Sequence, residues 1–148
     1  MSAISAHNSV ETDVLIAPVG KQPMPVLLPI LEYAPALTFV IPTVDVRDIA
    51  EALRRVAKQA GRRVIVLGDV DPYDAEATYA RCCEVMERPD LGGRRVAINI
   101  SGGTTVMAMG AQRAARELQL PMLYVNTDAI TGTDRHSTAK GYQPRSQF

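Results

Sequence analysis

The sequence contains no tryptophan, only two phenylalanines and only two cysteines among its 148 residues. So few large aromatic rings leave little stacking surface for a long single-stranded nucleic acid. Cys82 and Cys83 are adjacent and form neither a CxxC motif nor a Cys/His ligand set. The sequence therefore predicts neither a zinc site nor a disulfide framework, and it fits a reducing compartment.

Net charge and long apolar runs are also missing. Sixteen Lys and Arg residues balance sixteen Asp and Glu residues, so no bulk positive field exists to hold long nucleic acid. The longest apolar runs, such as Val26–Leu31 and Leu37–Ile41, are too short to span a bilayer. The polar amino-terminal residues lack the apolar core of a signal peptide. We therefore expect a cytoplasmic protein with neither a membrane partner nor a long nucleic-acid partner.

The chain does contain a regular alternation of apolar runs with stretches of helical periodicity. Near-continuous apolar runs are typical of parallel strands that are covered on both faces. The pattern predicts an α/β fold, a Rossmann-like three-layer sandwich with a mainly parallel sheet. We assign residues 1–12 to a polar segment, 13–128 to the Rossmann-like domain and 129–148 to a polar tail. The predicted strands are Val14–Val19, Leu37–Pro42, Arg63–Leu67, Arg95–Ile100 and Met122–Asn126, and the predicted helices are Pro25–Leu31, Val46–Gln59, Pro72–Arg88 and Thr104–Gln119.

Spacing within the predicted helices indicates which residues face the sheet. Cys82 falls on an inward face, so we interpret it as a small core side chain rather than a nucleophile. The last helix has a narrow inward face of small residues, which suits close approach to a sheet. The predicted inward positions are Ile49, Leu53, Val56 and Ala60 in the second helix, Ala75, Tyr79, Cys82 and Met86 in the third, and Met107, Gly110, Ala111, Ala114, Ala115 and Leu118 in the last.

Several aspartates lie near the predicted helix starts, where a metal cluster is one possible interpretation. Asp71 precedes a proline at a predicted first helical position with Asp74 in the first turn, and Asp45 with Asp48 repeats this arrangement. Helix capping therefore accounts for most of these carboxylates, with Asp69 left in a loop. The sequence predicts no metal ion and no other cofactor.

The most informative segment is Ser101–Thr105, because ligands of parallel α/β sheets bind beyond the carboxyl ends of the strands. Its two glycines permit close backbone approach, and free amides at a helix start favour an anion such as phosphate. The hydroxyls of Ser101, Thr104 and Thr105 can donate to phosphate or ribose oxygens. We expect Gly103→Val to abolish anion binding and to leave the fold intact. A glycine-rich turn with a capping threonine and no ligand is the alternative.

The residues around this segment limit the reactions that the site is expected to catalyse. The segment lacks the third glycine of GxGxxG, and the Walker pattern GxxxxGK[ST] is absent, so ATP hydrolysis is not expected. The loop after the first strand is expected to lie beside the glycine turn, and Lys21 is the one basic residue of the strand-end loops, unless it is simply a solvated lysine. His7 and His136 lie in the polar termini, so histidine catalysis is not expected. The predicted ligand-binding residues are Gly20, Lys21, Gln22, Thr43, Asp69, Ser101, Gly102, Gly103, Thr104, Thr105 and Asp128.

The segment NISGGTTVMA, residues 99–108, resembles the N-I-[ST]-G-G-T-[KR]-x-M motif of CARF domains. These are the CRISPR-associated Rossmann-fold sensors of type III CRISPR systems. Val19–Pro25 is similar to the first-strand loop of the CARF nucleases, and Pro35–Thr43 to their second strand. The resemblance extends from about Asp13 to Asp128. It implies a homodimer that binds a cyclic oligoadenylate, either a tetra- or a hexa-adenylate, across its two-fold axis.

The resemblance leaves three activities open: a ring nuclease that degrades the ligand, a sponge or sensor that only binds it, and a subunit that partners a separate effector. About twenty residues follow Asp128, so we expect a standalone domain without a fused effector. Ring cleavage would be attack of a ribose 2′-hydroxyl on its own phosphate, with Lys21, Ser101 and Thr104 as catalytic candidates. Thr105 replaces the Lys or Arg of the family motif, which removes a charge-assisted phosphate contact. A nucleotide-binding Rossmann-like domain unrelated to CRISPR is a further alternative.

Overall fold

A computed structural model describes residues 12–125 of the protein. The predicted ligand residue Asp128, the predicted tail 129–148 and all but the last residue of the predicted segment 1–12 lie outside this range. Two short 3-10 helices cover Val44–Val46 and Pro89–Leu91. The strands are β1 (Val14–Pro18), β2 (Leu37–Ile41), β3 (Arg63–Val66), β4 (Val96–Asn99) and β5 (Met122–Leu123), and the helices are α1 (Met24–Tyr33), α2 (Arg47–Gln59), α3 (Ala75–Met86) and α4 (Thr105–Leu118).

The five strands form one parallel sheet in the order β3-β2-β1-β4-β5. Val14 at the start of β1 pairs with Leu37 of β2 on one side and with Val96 of β4 on the other. Every residue of β1, β2 and β4 is buried, as the near-continuous apolar runs predict. Edge strand β3 is less covered, and its first residue, Arg63, is exposed.

Helices cover both faces of the sheet, and alternate side chains of β1 serve the two cores because strand residues point to opposite faces. Val14 and Ile16 pack in the core under α3 and α4. Leu15 and Ala17 pack in the core under α1 and α2. The structure therefore confirms the Rossmann-like three-layer α/β sandwich.

Helix α2 presents a different face to the sheet from the predicted one. Ala50, Leu53 and Ala57 are its buried residues, whereas Val56 is 44% exposed and Ala60 is also exposed. The two alanines share the buried side with Leu53, and a helix that contacts the sheet through small residues can lie close to it. The prediction for Val56 and Ala60 is therefore wrong.

The start of α3 also differs from its prediction. Asp74 is the N-cap, and its Oδ1 accepts a 3.3 Å hydrogen bond from the Ala77 amide. Asp71, predicted as the cap, instead closes a turn ahead of the helix, because its Oδ1 accepts from the Tyr73 amide at 2.8 Å and its carbonyl oxygen accepts from the Asp74 amide. The helix begins three residues after the predicted Pro72 as a result.

Helix α2 has no side-chain cap at its N-cap residue, Val46. Asp45 lies in the preceding 3-10 helix, and Asp48 accepts a hydrogen bond from the adjacent Ile49 amide at 2.9 Å. The predicted capping role of Asp45 is therefore wrong, because the 3-10 turn occupies the place of a cap. The Asp45 carboxylate therefore does not cap helix α2.

Helices α3 and α4 contact each other closely through Gly110 of α4. A Cβ built on Gly110 would collide with the Ala75 carbonyl oxygen and lie 3.1 Å from the Tyr79 amide nitrogen. The small residues of α4 therefore serve a helix–helix contact as well as the predicted contact with the sheet. Cys82 of α3 is fully buried, which confirms its prediction as a core residue, and this burial raises the pKa of its thiol to about 12.

Candidate functional site

The loops that follow β1 and β4 meet at the carboxyl edge of the sheet. Strand β1 lies between β2 and β4, so the direction of the strand order changes there. A Cβ built on Gly20 would lie 2.8 Å from the Gly103 amide nitrogen and 3.2 Å from its Cα. The structure thus confirms that the loop at Gly20 and the turn Ser101–Thr105 are neighbours on one edge.

The two glycines of the turn are required by the turn itself. A Cβ on Gly102 would collide with the Pro18 carbonyl oxygen. Gly103 has φ +81°, and a Cβ there would lie 3.0 Å from the Pro18 Cβ and 3.2 Å from the Met107 sulfur. A valine side chain at φ +81° is strained, so the expectation that Gly103→Val leaves the fold intact is wrong.

Asn99 joins the glycine turn to helix α1 through two hydrogen bonds, a role that sequence reasoning missed. It is fully buried at the end of β4, and its Nδ2 donates a 2.9 Å hydrogen bond to the Pro25 carbonyl oxygen of α1. Its Oδ1 accepts from the Ser101 amide at 3.0 Å. An amide side chain at the last position of an apolar strand is the sequence signal for such a role, because a buried polar group requires hydrogen-bond partners.

The turn delivers the chain into α4 with Thr104 as its N-cap. Thr104 Oγ1 accepts a 3.1 Å hydrogen bond from the Met107 amide. Within residues 12–125, the amides of residues 103–106 have no hydrogen-bond acceptor. Unpaired amides and the positive end of the helix dipole together favour an anion at this position.

The predicted hydroxyl donors differ in their availability. Thr104 donates its single hydroxyl hydrogen to the Pro72 carbonyl oxygen over 2.6 Å, so contact with a ligand oxygen requires that bond to break. Ser101 Oγ accepts from the Val125 amide at 2.6 Å and keeps its hydrogen for another partner. Thr105 is exposed in the first turn of α4.

Two clefts flank the glycine turn, and both have volumes in the range of small-molecule sites. The β5-side cleft, of about 350 Å³, is lined in part by Ser101, Gly103, Thr104, Thr105, Gln112 and Tyr124. The β2-side cleft, of about 370 Å³, is lined in part by Gly20, Lys21, Thr43, Asp45, Tyr73 and Thr104. Thr104 and Gly103 line both clefts, so the turn forms the wall between them.

Three other predicted residues have distinct positions. Gln22 is exposed beside Lys21 and lines neither cleft. Asp69 lies in a hollow next to the β2-side cleft, where its Oδ1 is 2.6 Å from Nη1 of Arg47, a cation that sequence reasoning missed. Thr43 is buried between this hollow and the β2-side cleft. Asp69 is thus already paired, whereas Asp45 forms no ion pair within residues 12–125.

No group of three or more His, Cys, Asp or Glu side chains in residues 12–125 could hold a metal ion. No helix in that part of the chain is long and apolar enough to cross a membrane.

The parallel sheet and its switch-point turn define an α/β domain of the Rossmann-like class. No protein-family model matches the sequence, and no curated protein matches it. Solved structures do share the fold. Can2 from Sulfobacillus thermosulfidooxidans, in complex with cyclic tetra-adenylate, is 22% identical with a TM-score of 0.69 over 79% of this chain and 33% of that chain.

Two further structures have the same fold. A type III CRISPR defence DNA nuclease activated by cyclic oligoadenylate is 23% identical with a TM-score of 0.67, over 78% of this chain and 19% of that chain. Enterococcus italicus Csm6, bound to cyclic hexa-2′-fluoro-hexa-dAMP, is 12% identical with a TM-score of 0.63, over 78% of this chain and 33% of that chain. The chain therefore spans about a third or less of the length of each of these three proteins.

Proposed function

We propose that residues 13–128 form a CARF domain that binds a cyclic oligoadenylate at the glycine turn. The observation that carries the proposal is the glycine turn at the switch point: the amides of residues 103–106 are unpaired within residues 12–125, and Gly103 and Thr104 line both clefts. The resemblance of residues 99–108 to the CARF motif supports it. The fold shared with Can2, in complex with cyclic tetra-adenylate, and with Csm6, bound to a cyclic hexa-nucleotide, also supports it.

We propose a cytoplasmic homodimer as the binding unit. A cyclic tetra- or hexa-adenylate has two-fold symmetry, so two copies of one turn can hold its two halves identically. Tyr124, which is 37% exposed, lines the β5-side cleft beside the turn, and we assign this side of the cleft to contact with a second copy of the chain.

Ring cleavage is the leading activity, and no step needs a metal ion. A ribose 2′-oxygen attacks the adjacent phosphorus, the bond from phosphorus to the 5′-oxygen breaks, and a 2′,3′-cyclic phosphate forms. The proton leaves the 2′-oxygen for solvent, and the 5′-oxygen takes one up. Lys21 and the turn amides stabilise the charge that develops on the phosphate, and Ser101 donates a hydrogen bond to it. Thr104 joins them only after it releases Pro72.

Binding without cleavage is the second candidate, and the small number of cations in the clefts supports it. Lys21 is the only cation that lines either of the two clefts in the described part of the chain. One lysine and a set of amides that bind the ground-state phosphate as tightly as the transition state would hold the ring without accelerating its cleavage. Such a protein would sequester the ring, or pass the signal to a separate effector.

The decisive experiment incubates the full chain with radiolabelled cyclic tetra- and hexa-adenylate. Native gels detect the complex, and denaturing gels detect linear products. The test variant is Lys21→Ala, which removes the cation of the β2-side cleft. Lys58→Ala is its matched control, because Lys58 lines a basic groove with Arg54, Arg62 and Arg63 at the opposite end of the sheet. A shifted complex with products supports cleavage, and a complex without products supports binding alone. No complex with either ring would overturn the proposed function.

A further inference from the structure

We infer that the β2-side cleft selects adenine, with Tyr73 stacking on the base and Asp45 accepting a hydrogen bond from its exocyclic amine. The inference rests on the proposed function and adds base-selecting residues to it. Neither residue belongs to the set predicted from the sequence. Both line the cleft that the glycine turn separates from the β5-side cleft.

The cleft combines donors for an anion with a carboxylate. Lys21 and the backbone of Gly103 and Thr104 contribute a cation and a helix start, whereas Asp45 contributes an acceptor. Lys21 and Asp45 form no ion pair in the described part of the chain. A nucleotide has the complementary pair of groups, because its anionic phosphate is joined to a base with N–H donors. Inorganic phosphate alone would leave Asp45 facing a like charge.

Asp45 differs from the neighbouring carboxylate of Asp69. The Asp69 carboxylate is paired with Arg47, whereas Asp45 is exposed and makes no side-chain hydrogen bond or ion pair within residues 12–125. An ionised carboxylate only accepts hydrogen bonds, so its partner in the cleft must be a donor. The 6-amino group of adenine is such a donor, whereas hypoxanthine has a carbonyl oxygen at the same position.

Tyr73 combines a fixed backbone with an exposed ring. Its amide donates to Asp71 Oδ1 at 2.8 Å, and the carbonyl oxygen of Pro72 accepts the Thr104 hydroxyl. The side chain nevertheless is 80% exposed at the rim of the cleft. An exposed aromatic ring on a fixed turn, next to an anion-binding turn, is a stacking platform for a base.

The test measures dissociation constants by calorimetry on the full chain. The ligands are 2′-fluoro cyclic tetra- and hexa-adenylate, which resist cleavage because they lack the nucleophilic hydroxyl, and the matching hypoxanthine rings. We expect the wild type to prefer the adenine ring. Tyr73→Ala should weaken adenylate binding about tenfold or more. Asp45→Ala should weaken it about fivefold and remove the preference over hypoxanthine.

Conservative variants and a matched control separate these roles from a structural effect. Tyr73→Phe should bind within about twofold of wild type, because the ring is retained. Asp45→Asn should keep most of the adenylate affinity, because its amide oxygen still accepts a hydrogen bond, but it should lose much of the preference over hypoxanthine, because its amide N–H can donate to the hypoxanthine carbonyl oxygen. Asp48→Ala removes a nearby exposed carboxylate that does not line the cleft, and it should bind as wild type does.

The outcomes distinguish this inference from the proposed function. A wild type that binds neither adenine ring overturns both. A wild type that binds adenylate, with Tyr73→Ala and Asp45→Ala binding equally well, overturns the inference and leaves the proposed function in place. Equal wild-type affinity for adenine and hypoxanthine rings overturns the role of Asp45. Loss of adenine preference in Asp48→Ala would also overturn it.

Discussion

The hydroxyl of Thr104 donates a 2.6 Å hydrogen bond to the carbonyl oxygen of Pro72, and this contact joins the glycine turn to the loop ahead of α3. Thr104 Oγ1 also accepts a hydrogen bond from the Met107 amide at the start of α4. Thr104 therefore holds together the two segments that line the β2-side cleft. A ligand that takes the Thr104 hydrogen would release the loop that carries Tyr73.

Replacing Thr104 should destabilise the protein in a way that depends on the hydroxyl. Thr104→Val removes both the helix cap and the bond to Pro72, so we expect the free energy of unfolding to fall by about 1–2 kcal/mol. Thr104→Ser retains the oxygen and should remain close to wild type. Urea unfolding measures the difference. Equal stability of Thr104→Val and wild type would show that the contact contributes nothing.

Gly110 should tolerate no larger side chain, because the α3 backbone occupies the space that a Cβ needs. We expect Gly110→Ala to destabilise the protein by roughly 1–3 kcal/mol, although alanine favours helix elsewhere. Gly68→Ala is the control, since its added Cβ makes only an ordinary 3.7 Å contact with Arg81. Thermal unfolding of both variants tests the prediction. A Gly110→Ala variant more stable than wild type would contradict it.

The sequence was sufficient to predict the sheet and the place of the candidate site. Continuous apolar runs identify buried parallel strands, and right-handed crossovers leave few possible strand orders, so Gly20 and Gly103 could be placed together in advance. The helix faces were less predictable. Val56 and Leu53 satisfy the same helical spacing with Ile49, and only the tertiary contact of Ala50 and Ala57 with the sheet decides which face turns inward.

The side-chain partners in the site could not be predicted, because they join segments far apart in the chain. Arg47 lies 22 residues from Asp69, and Thr104 lies 32 residues from Pro72. Sequence spacing describes neighbours along a helix or strand but not neighbours across two loops. The availability of each hydroxyl therefore depends on the folded arrangement.

Asp13 should give a stability contribution that depends on pH. The Arg95 amide donates to its Oδ2 at 2.9 Å, and this bond, with the Arg95 side chain, lowers the pKa of Asp13 below its usual 3.8. A carboxyl with a lowered folded-state pKa stabilises the fold above the unfolded pKa, and the contribution disappears as pH falls through the folded value. Asp13→Asn should therefore melt at a lower temperature than wild type at pH 7.

Melting curves between pH 7 and pH 2 check this prediction. The difference between wild type and Asp13→Asn should shrink as pH falls below about 4, because wild-type Asp13 becomes protonated as well. A difference that is constant over the whole range would contradict the role assigned to the ionised carboxylate.

The two adjacent cysteines should react differently. Burial raises the pKa of the Cys82 thiol to about 12, so almost no thiolate exists at pH 8, and the side chain has no access to solvent. Cys83 is only partly buried. We expect iodoacetamide to label Cys83 in the native protein and both cysteines in 6 M guanidinium, as peptide mass spectrometry will show. Rapid native labelling of Cys82 would be inconsistent with its place in the core.

Replacing Lys21 distinguishes an enzyme that cleaves the ring from a protein that only binds it. If the protein cleaves its ligand, Lys21 acts mainly on the transition state, where negative charge accumulates on the phosphate. Lys21→Ala should then lower the single-turnover rate about a hundredfold, or about 3 kcal/mol, which is typical of one preorganised donor. Ground-state affinity should fall much less, since the unpaired amides of the turn and Ser101 share that task.

Rapid quenching of a labelled ring, together with equilibrium binding, gives both quantities for wild type, Lys21→Ala and the control Lys58→Ala. Lys58 lies at the opposite end of the sheet, so its removal changes net charge equally and should alter neither quantity. A protein that only binds will release an intact ring, and Lys21→Ala will weaken its affinity alone. Equal factors in rate and affinity would mean that Lys21 holds the ground state and the transition state alike, and the transition-state role would fail even if cleavage is real.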